Sequence, residues 1–397
     1  MKVICERSAL LAAVNNVASV VPTRTPSPAL SCLKLVATKT AGVSELQLFG
    51  TDAETSLSIS ITQVDVAQPG VAVVSAEKLR QIVQAVESEQ TLTIELADDV
   101  CHIRGSAARF RIFAYAADQY PQVPDMAQAT SNARSVFTHS AAGMLSLINK
   151  TVFATARETS RYAINGVLLK REGKKVEMVA TDGRRLALCR STLKAVDAKD
   201  GATASCIIPT KGLNLFTKLA GNPEENVRIA ITDNRIFFAF EDVIDEDKKK
   251  PSGRPPRAVL TSALVEGTFP PYEDVIPKDN DKKGTIDRDA LAAGVREAKI
   301  LTNEESRGVR MNFSAKNKRL KLTSRAPEMG ESEVDVDLSS YEGEDVEISF
   351  NPDFIADALK TMEESEVIIE LKSTTKPGLI KSGSEFVYVV MPVNLAN

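Results

Sequence analysis

Hydrophobic and polar positions along the chain follow one plan that occurs three times. Each copy opens with alternating apolar and polar residues, which predict a β-strand, followed by Ser or Asp and by apolar residues at helical spacing. Ser and Asp side chains accept hydrogen bonds from the unpaired N–H groups of a helix N-terminus, so they mark where a helix begins. The pattern predicts equivalent helices over residues 7–20, 140–157 and 287–300.

A second helix recurs further along each copy. A short β-branched run enters it, and Pro209 and Pro352 lie near the first helical turn, where proline is tolerated. We predict these helices over residues 75–87, 209–220 and 351–362. A pair of strands alternating around turn residues follows each of them, over residues 91–105, 226–240 and 366–383.

A strand–turn–strand element lies between the two helices of every copy, over residues 46–59, 176–189 and 320–336. Each copy therefore contains two helices and about eight short strands. An antiparallel sheet that buries one face under both helices accommodates this pattern. We predict an α+β fold of three repeated domains, whose spatial arrangement the repeat leaves open.

Polar, linker-like segments separate the copies near residues 126–134 and 278–284. The predicted domains are residues 1–126, 134–280 and 284–397. A charged, proline-rich stretch at 245–256 enlarges the second copy, and its composition predicts a solvated hairpin loop.

Composition narrows the classes of protein to which the chain can belong. Of 397 residues, 43% are apolar and 26% are charged, as in folded globular proteins, and no apolar run reaches the roughly 18–20 residues of a membrane span. The five cysteines contain no CxxC pair, which disfavours a disulfide framework or a cysteine-built zinc site and makes the cytoplasm the expected compartment. With two histidines and no nucleotide, metalloprotease or hydrolase motif, we predict no catalytic residue, no metal site and no cofactor.

Charge and aromatic content argue against a conventional nucleic-acid binder. The net charge is −4, there is no Trp, and aromatic residues make up 5% of the chain. A protein that binds DNA over an open surface is usually basic, and one that binds single strands usually stacks bases on aromatic rings.

The carboxylates Asp52 and Glu54 are close enough in sequence to suggest acid–base or metal chemistry. Asp182 occupies the matching turn of the second copy, and Asp commonly caps the backbone of a turn, so the prediction is a structural role. His102 lies in a predicted strand and is expected to be structural. Cys189 and Cys206 lie in apolar strands and are predicted to be buried thiols.

Several longer motifs follow one another along the whole chain. They are FGTDAE at 49–54, RYAINGVLL at 161–169, ATDGRRLAL at 180–188, GTFPPYEDVIP at 267–277, ILTNEESRGVRM at 300–311 and YVVMPVNL at 388–395. In these motifs the chain resembles the bacterial DNA polymerase III beta subunit family, the sliding clamps. The resemblance implies a head-to-tail homodimer that closes a ring of six similar domains around duplex DNA, with helices lining the hole.

The same resemblance implies a non-catalytic processivity factor. Its partners would be the replicative DNA polymerase, a clamp loader and repair polymerases, which bind through short peptide motifs, with no membrane association. DNA would pass through the ring without its sequence being read.

The resemblance places DNA contacts at Arg24, Tyr162 and Lys211. Lys150 and Arg157 join them from their positions on predicted helices. The predicted helices carry a small net positive charge and the rest of the chain is negative, which is the sign that a DNA-lined hole needs. A solvated loop arginine is the alternative for Arg24. Ala163 and Glu77 stand where family members commonly carry an aromatic and a basic residue.

The implied dimer interface joins the first domain of one chain to the third domain of the other. Arg109, Phe110, Arg111 and Ile112 alternate along a strand, which puts Phe110 and Ile112 on one face. Partner residues on the third domain would be Ile300 and Leu301, and three nearby carboxylates could oppose the arginines: Glu328, Glu331 and Glu333.

The implied partner pocket is an apolar groove for peptides that carry a Gln followed by spaced aliphatic and aromatic residues. The matching positions are Ile164, Thr181, Gly183, Arg184, Arg185, Leu186, Pro270, Val275, Val389, Val390, Met391, Pro392, Val393 and Leu395. Aliphatic and Met side chains accept several apolar ligands. Asp274 and Asn394 stand where many family members carry Arg.

On the residues alone, three functions stay open. The first is a non-catalytic clamp, the second is a hydrolase that uses carboxylates, and the third is a repeat scaffold that binds only proteins. Against the hydrolase, no motif in the sequence supplies the nucleophile–base pair that such an enzyme needs. Retention on circular but not linear DNA separates the clamp from the scaffold.

Overall fold

A computed structural model describes residues 1–40, 42–158, 162–196, 203–241, 255–302, 308–327 and 329–394 of the chain. These residues form seven α-helices: α1 (Arg7–Ala18), α2 (Ala76–Ala85), α3 (Met126–Ser131), α4 (Ala141–Asn149), α5 (Thr210–Leu219), α6 (Arg288–Ala298) and α7 (Pro352–Leu359). Short 3₁₀ turns include Val152–Ala154, Tyr272–Val275 and Lys299–Leu301.

The strands are short, and there are many more of them than helices. In chain order they are β1 (Lys2–Glu6), β2 (Cys32–Thr40), β3 (Val43–Thr51), β4 (Thr55–Ile61), β5 (Val64–Gln68), β6 (Gly70–Ser75), β7 (Thr91–Ala97), β8 (Val100–Arg104), β9 (Arg109–Tyr115), β10 (Ser135–Ser140), β11 (Gly166–Glu172), β12 (Lys175–Thr181), β13 (Arg185–Thr192), β14 (Ala195–Val196), β15 (Thr203–Pro209), β16 (Asn226–Ile231), β17 (Arg235–Glu241), β18 (Ala258–Ala263), β19 (Lys282–Asp287), β20 (Val309–Ser314), β21 (Arg319–Ala326), β22 (Gly330–Asp337), β23 (Ser340–Glu342), β24 (Val346–Phe350), β25 (Glu366–Leu371), β26 (Gly378–Ser382) and β27 (Phe386–Val390).

The chain divides into two compact units. The first unit contains Met1–Met144, Leu193–Ala204 and Lys211–Leu264. Its strands follow the order β14-β10-β16-β17-β18-β4-β3-β2-β6-β9-β8-β7-β1-β5, and neighbouring strands pair antiparallel. Its buried side chains include Phe216, whose ring centroid lies 5.2 Å from that of Phe238 and 5.1 Å from that of Phe240.

The second unit contains Leu145–Thr192, Ser205–Thr210 and Val265–Asn397. One sheet has the order β15-β11-β12-β13-β27-β26-β25-β19-β23, and a second has the order β22-β21-β20-β24. Their strands also pair antiparallel. The predicted α+β class, with helices packed on antiparallel sheets, is therefore confirmed, and all three predicted strand–turn–strand elements form hairpins: β3–β4, β12–β13 and β21–β22.

Helix starts follow the sequence pattern with one exception. Ser140 accepts a hydrogen bond from the Gly143 backbone N–H at 3.1 Å, and Asp287 accepts one from the Ala290 N–H at 2.8 Å. The prediction is wrong for the first helix, because Glu6 occupies the N-cap position without a side-chain cap and Ser8 lies inside α1. There the Ser8 hydroxyl donates to the Glu6 carboxylate instead.

The helix predicted over 140–157 ends early. Helix α4 stops at Asn149, and the Thr151 hydroxyl donates to the Leu147 carbonyl at 2.7 Å. Such a side-chain bond gives the backbone an alternative to helical hydrogen bonding, and a 3₁₀ turn follows.

One helix was not predicted. The polar segment at 126–134 contains α3, whose Asp125 side chain accepts from the Ala127 N–H at 2.7 Å. Met126, Ala129 and Ala133 pack against the buried residues Val136 and Phe237, so this segment is a packed element rather than a bare linker.

The predicted buried thiols are confirmed. Cys189 and Cys206 are buried, and burial raises the pKa of Cys189 to about 11. Across the described residues no helix is long and apolar enough to cross a membrane. Residues 245–254 of the predicted hairpin loop lie outside the described residues.

Candidate functional site

An apolar groove of about 240 Å³ lies on the second unit. Ten of the residues predicted for a partner pocket line it together: Ile164, Thr181, Gly183, Arg184, Arg185, Leu186, Pro270, Val275, Val389 and Met391. These residues are distant in sequence, and strands β12, β13 and β27, a 3₁₀ turn and the loops and turns between elements bring them into one surface. Val275 and Met391 are 50% and 42% exposed, so apolar side chains remain open to a ligand.

The hairpin turn between β12 and β13 forms one wall of the groove. Asp182 Oδ1 accepts hydrogen bonds from the backbone N–H groups of Arg184 at 2.9 Å and Arg185 at 3.0 Å. Gly183 has a φ of 84°, in the left-handed region that favours glycine, and its N–H donates to the Thr181 hydroxyl at 3.1 Å. Hydrogen bonds within the chain therefore fix the shape of the turn, and no ligand is needed to hold it.

Arg185 is anchored beneath the groove rather than left available for an anion. Its guanidinium donates to Asp182 at 3.0 Å, to Asp357 at 2.9 Å and to the Phe153 carbonyl at 2.9 Å, and lies 4.4 Å from the centre of the Phe354 ring. Burial works against its charge, but the hydrogen bond to Asp357 and the interactions with Tyr388 and Asp182 together outweigh that effect, so the pKa of Arg185 lies above its usual value. Its charge is thus matched within the chain, and its side chain contributes surface to the groove.

Strand β27, which pairs with β13, supplies Val389 to the groove. Val389 faces the core cluster under the groove, and Val390, although predicted for the pocket, is fully buried and does not line it. Successive side chains of a strand point to opposite faces, so the two valines cannot share this surface. The Met391 N–H donates to the Arg184 carbonyl at 2.9 Å, which fixes the start of the tail beside the turn.

The tail then leaves the groove. The Val393 N–H donates to the Ser349 carbonyl at 2.8 Å, and Pro392 and Val393, both implied for the pocket, do not line this groove. Leu395 lies outside the described residues.

Three further residues line the groove: Tyr162, Pro271 and Tyr272. Tyr272 is 5% exposed and its hydroxyl donates to the Glu177 carboxylate, so the ring is a fixed wall. The run Pro270-Pro271-Tyr272 in the motif at 267–277 was the available signal, because prolines restrict the backbone that presents the ring. Tyr162 was predicted to contact DNA, and the structure places it at this groove.

The other predicted DNA contacts lie in separate segments of the chain. Arg24 and Arg157 are exposed in segments that follow α1 and the Val152–Ala154 turn. Lys211, in the first turn of α5, is paired with Asp52 of the β3–β4 turn. Lys150 Nζ lies 3.8 Å from Glu363 Oε1, and its side chain is 13% exposed.

Three family models match consecutive parts of the chain. The N-terminal domain of the DNA polymerase III beta subunit matches residues 1–124, its central domain matches 140–248, and its C-terminal domain matches 273–394. The chain belongs to the DNA polymerase III beta subunit family. Its function is that of a DNA sliding clamp.

Named relatives and solved structures agree with the family models over the full length of this clamp. The beta sliding clamp of Salmonella typhimurium is 32% identical over 398 residues and that of Pseudomonas putida 31% over 393, covering 100% and 98% of this chain and 100% and 99% of theirs. The DNA polymerase III subunit beta of Pseudomonas aeruginosa superposes with a TM-score of 0.87 at 30% identity, and the DNA polymerase sliding clamp of Bacillus subtilis with 0.87 at 25%, both covering 100% of each chain.

Strand β9 of the clamp's first unit is incompletely paired along one edge. Strand β9 pairs along its length with β8, but with β6 only at Val73–Tyr115 and Val74–Ala114 among the described residues. Arg109 and Arg111 are exposed on one face, while Phe110 and Ile112 are half-buried on the other, as predicted from their alternation.

A second unpaired edge lies on the second unit. Strand β22 is one of the two outer strands of its sheet, and its exposed face carries Glu331 and Glu333. Ile300 and Leu301 lie in a 3₁₀ turn beside it, with Ile300 73% exposed. Glu328 lies outside the described residues.

Large exposed apolar side chains on and beside these strands were missed from the sequence. Phe113 of β9 is 83% exposed, and Met329, directly before β22, is 67% exposed. The alternation of β9 places Phe113 on the same face as the arginines, and that unusual position was the available signal.

Proposed function

We propose that the chain is a non-catalytic subunit that dimerises head to tail and encircles duplex DNA without reading its sequence. It would act in the cytoplasm as three domains, residues 1–126, 134–280 and 284–397. The full-length match to sliding clamps is the observation that carries the proposal. Helices with exposed cations such as Lys211 and Lys299 provide phosphate contacts, which hold DNA without specifying bases.

The dimer is supported by two strand edges of complementary charge. Arginines project from the exposed face of β9, and glutamates project from the exposed face of β22. An unpaired strand edge is a template for pairing with another chain. In a two-fold dimer, β9 of each chain pairs with β22 of the other, so two identical interfaces form and the ring closes. A head-to-tail contact that did not close would propagate into fibres.

The groove supports tethering of a polymerase, a clamp loader and repair polymerases. It offers apolar walls, a fixed turn and a partly exposed Met, which together suit a short extended peptide with aliphatic or aromatic anchors. Its size suits a few side chains rather than a folded domain.

The test is retention on DNA of two shapes. The protein is loaded with a clamp loader and ATP onto nicked circular DNA, the DNA is linearised, and bound protein is separated by gel filtration. Retention on circles and loss from linear molecules with free ends is the expected result. A scaffold that binds only proteins would be retained on neither, and persistence on linear DNA would show an ordinary, non-topological binder.

A further inference from the structure

Three cations on the helices proposed to face DNA are held by carboxylates of the same chain. Lys211 of α5 pairs with Asp52, and Lys299 after α6 pairs with Asp353 of α7. Within α2, Arg80 donates to the Glu77 carboxylate at 3.0–3.2 Å through two guanidinium nitrogens. The three pairs share no residue and occur in separate parts of the chain.

The Asp52 pair is the best defined of the three. Asp52 Oδ1 caps the β3–β4 turn, accepting from the backbone N–H groups of Glu54 at 3.0 Å and Thr55 at 2.6 Å. Its other oxygen, Oδ2, faces the Lys211 ammonium. The turn backbone therefore orients the carboxylate, and Lys211 does not depend on a freely rotating partner.

Exposure shows which member of this pair a phosphate can reach. The Lys211 side chain is 52% exposed, whereas that of Asp52 is 14% exposed. The Lys211 side chain is therefore the member of the pair that solvent, and so a phosphate, can reach. A DNA phosphate approaching Lys211 would meet an ammonium whose charge is already partly neutralised.

We propose that Asp52, Glu77 and Asp353 are positioning residues that compete with DNA phosphates for the cations on these helices. They keep the electrostatic hold on the duplex weak and so favour movement along it. The inference rests on the proposed function, in which these helices face the DNA.

The physical reason lies in counterion release. A free lysine that neutralises a phosphate releases condensed counterions, and each such contact adds about 0.9 to the slope of log K against log salt concentration. A lysine that must leave a carboxylate to make the contact gains less, since it exchanges one anion for another. The same carboxylate accepts the lysine when the phosphate moves away, which lowers the barrier to a step along the duplex.

Asp52→Asn separates the two roles of this side chain, which are capping the β3–β4 turn and pairing with Lys211. Asn keeps an oxygen that can cap the turn, so the fold should be retained, but it removes the charge that faces Lys211. In the full-length dimer we expect a few-fold tighter binding to a linear duplex, measured by fluorescence anisotropy over a salt series. The slope of log K against log salt should steepen by up to about 0.9, and single-molecule diffusion of the loaded ring should slow.

Glu370→Gln is the matched control. It changes the net charge of the protein by the same amount, but Glu370 pairs with Lys381 between two strands, at 2.8 and 2.9 Å, rather than with a helix cation. Equal effects of Asp52→Asn and Glu370→Gln on affinity and slope would reduce the result to net charge and overturn the inference.

A double-mutant cycle with Lys211→Ala completes the test. Asp52→Asn should tighten binding when Lys211 is present and do no more than Glu370→Gln when it is absent. If Lys211→Ala weakens binding but Asp52→Asn has no Lys211-dependent effect, the inference is wrong and the proposed DNA contact stands. If Lys211→Ala itself leaves DNA affinity unchanged, both are wrong at this position.

Discussion

At the scale of single residues, the role of a side chain in capping a turn was predictable from the sequence, whereas a strained backbone conformation was not. Asp52 and Asp182 were predicted to cap matching turns, and both do, because an Asp side chain reaches the N–H groups two and three residues ahead of it. The sequence does not reveal that Ala53 adopts a φ of 79°, where Gly183 adopts 84° in the matching turn. The turn shape is imposed by the two strands that it joins.

Exchanging these two residues should change stability in opposite directions. Ala53→Gly relieves a left-handed alanine, which costs about 1–2 kcal/mol, less the extra unfolded-state entropy of glycine, for a gain of about 0.5–1 kcal/mol. Gly183→Ala should cost about 0.5–1 kcal/mol by the same balance, because a Cβ there meets nothing within 4 Å and adds no clash. Urea unfolding of both variants measures this, and a change of the same sign in the two would contradict it.

His139 should make the stability of the clamp depend on acid. Burial first, and then the charge of Lys194, lowers the pKa of His139 from 6.5 to about 4. The unfolded chain therefore takes up a proton near pH 6.5 while the folded chain does not, so stability is full above that pH and falls as the pH drops from 6.5 toward 4. Thermal unfolding measured across this range should show the decline.

His139→Gln removes the titrating group and should flatten that part of the profile. His102→Gln is the matched control, because it alters the other histidine, which is less buried and lies on β8. An unchanged slope in His139→Gln would assign the acid sensitivity to other groups.

At the scale of elements, helix starts and hairpins were predictable and helix ends were less so. Capping residues and turns depend on neighbours within a few positions, and they were mostly confirmed. The early end of α4 depends on the Thr151 hydroxyl, and α3 depends on burial against β16 and β17, so neither follows from hydrophobic spacing. Ten of the positions implied for the pocket line one groove, whereas Val390, Pro392 and Val393 do not, because their placement depends on strand register and on the hydrogen bond from Val393 to Ser349.

Deletion of residues 391–397 should abolish binding of a Gln-containing clamp-binding peptide without unfolding the chain. It removes Met391 from the groove, whereas β27 keeps its pairing with β13 and β26. Fluorescence anisotropy with a labelled peptide measures the loss. Met391→Ala should weaken peptide binding several-fold. The control Val43→Ala, at an exposed apolar residue on β3, should leave the affinity unchanged. Unchanged affinity in the truncated protein would place the peptide elsewhere.

At the scale of the whole molecule, the repeats predicted three domains, but nothing in the sequence fixes how the strands of successive repeats pair. Leu57 of β4 lies opposite Leu260 of β18, so one continuous ladder joins strands from the first and second predicted domains. Pairing between distant strands depends on contacts that neither segment specifies alone. The negative net charge argues misleadingly against DNA binding for a related reason. It is a sum over 397 residues and does not show where the cations lie.

The dimer is where the whole-molecule prediction is sharpest. Ile300, Phe113 and Met329 are 73%, 83% and 67% exposed, and all three lie on or beside the two strands proposed to meet. Apolar side chains this exposed lose water contact when a partner covers them, at about 25 cal/mol for each Å² buried. Ile300→Ala with Leu301→Ala should remove a few kcal/mol from each interface and shift the protein to monomers. Light scattering at nanomolar concentration should give 42.9 kDa for this variant and twice that mass for the unaltered chain. The control Val43→Ser, which alters an exposed apolar residue outside both edges, should stay dimeric. A double variant that stays dimeric would refute the proposed interface.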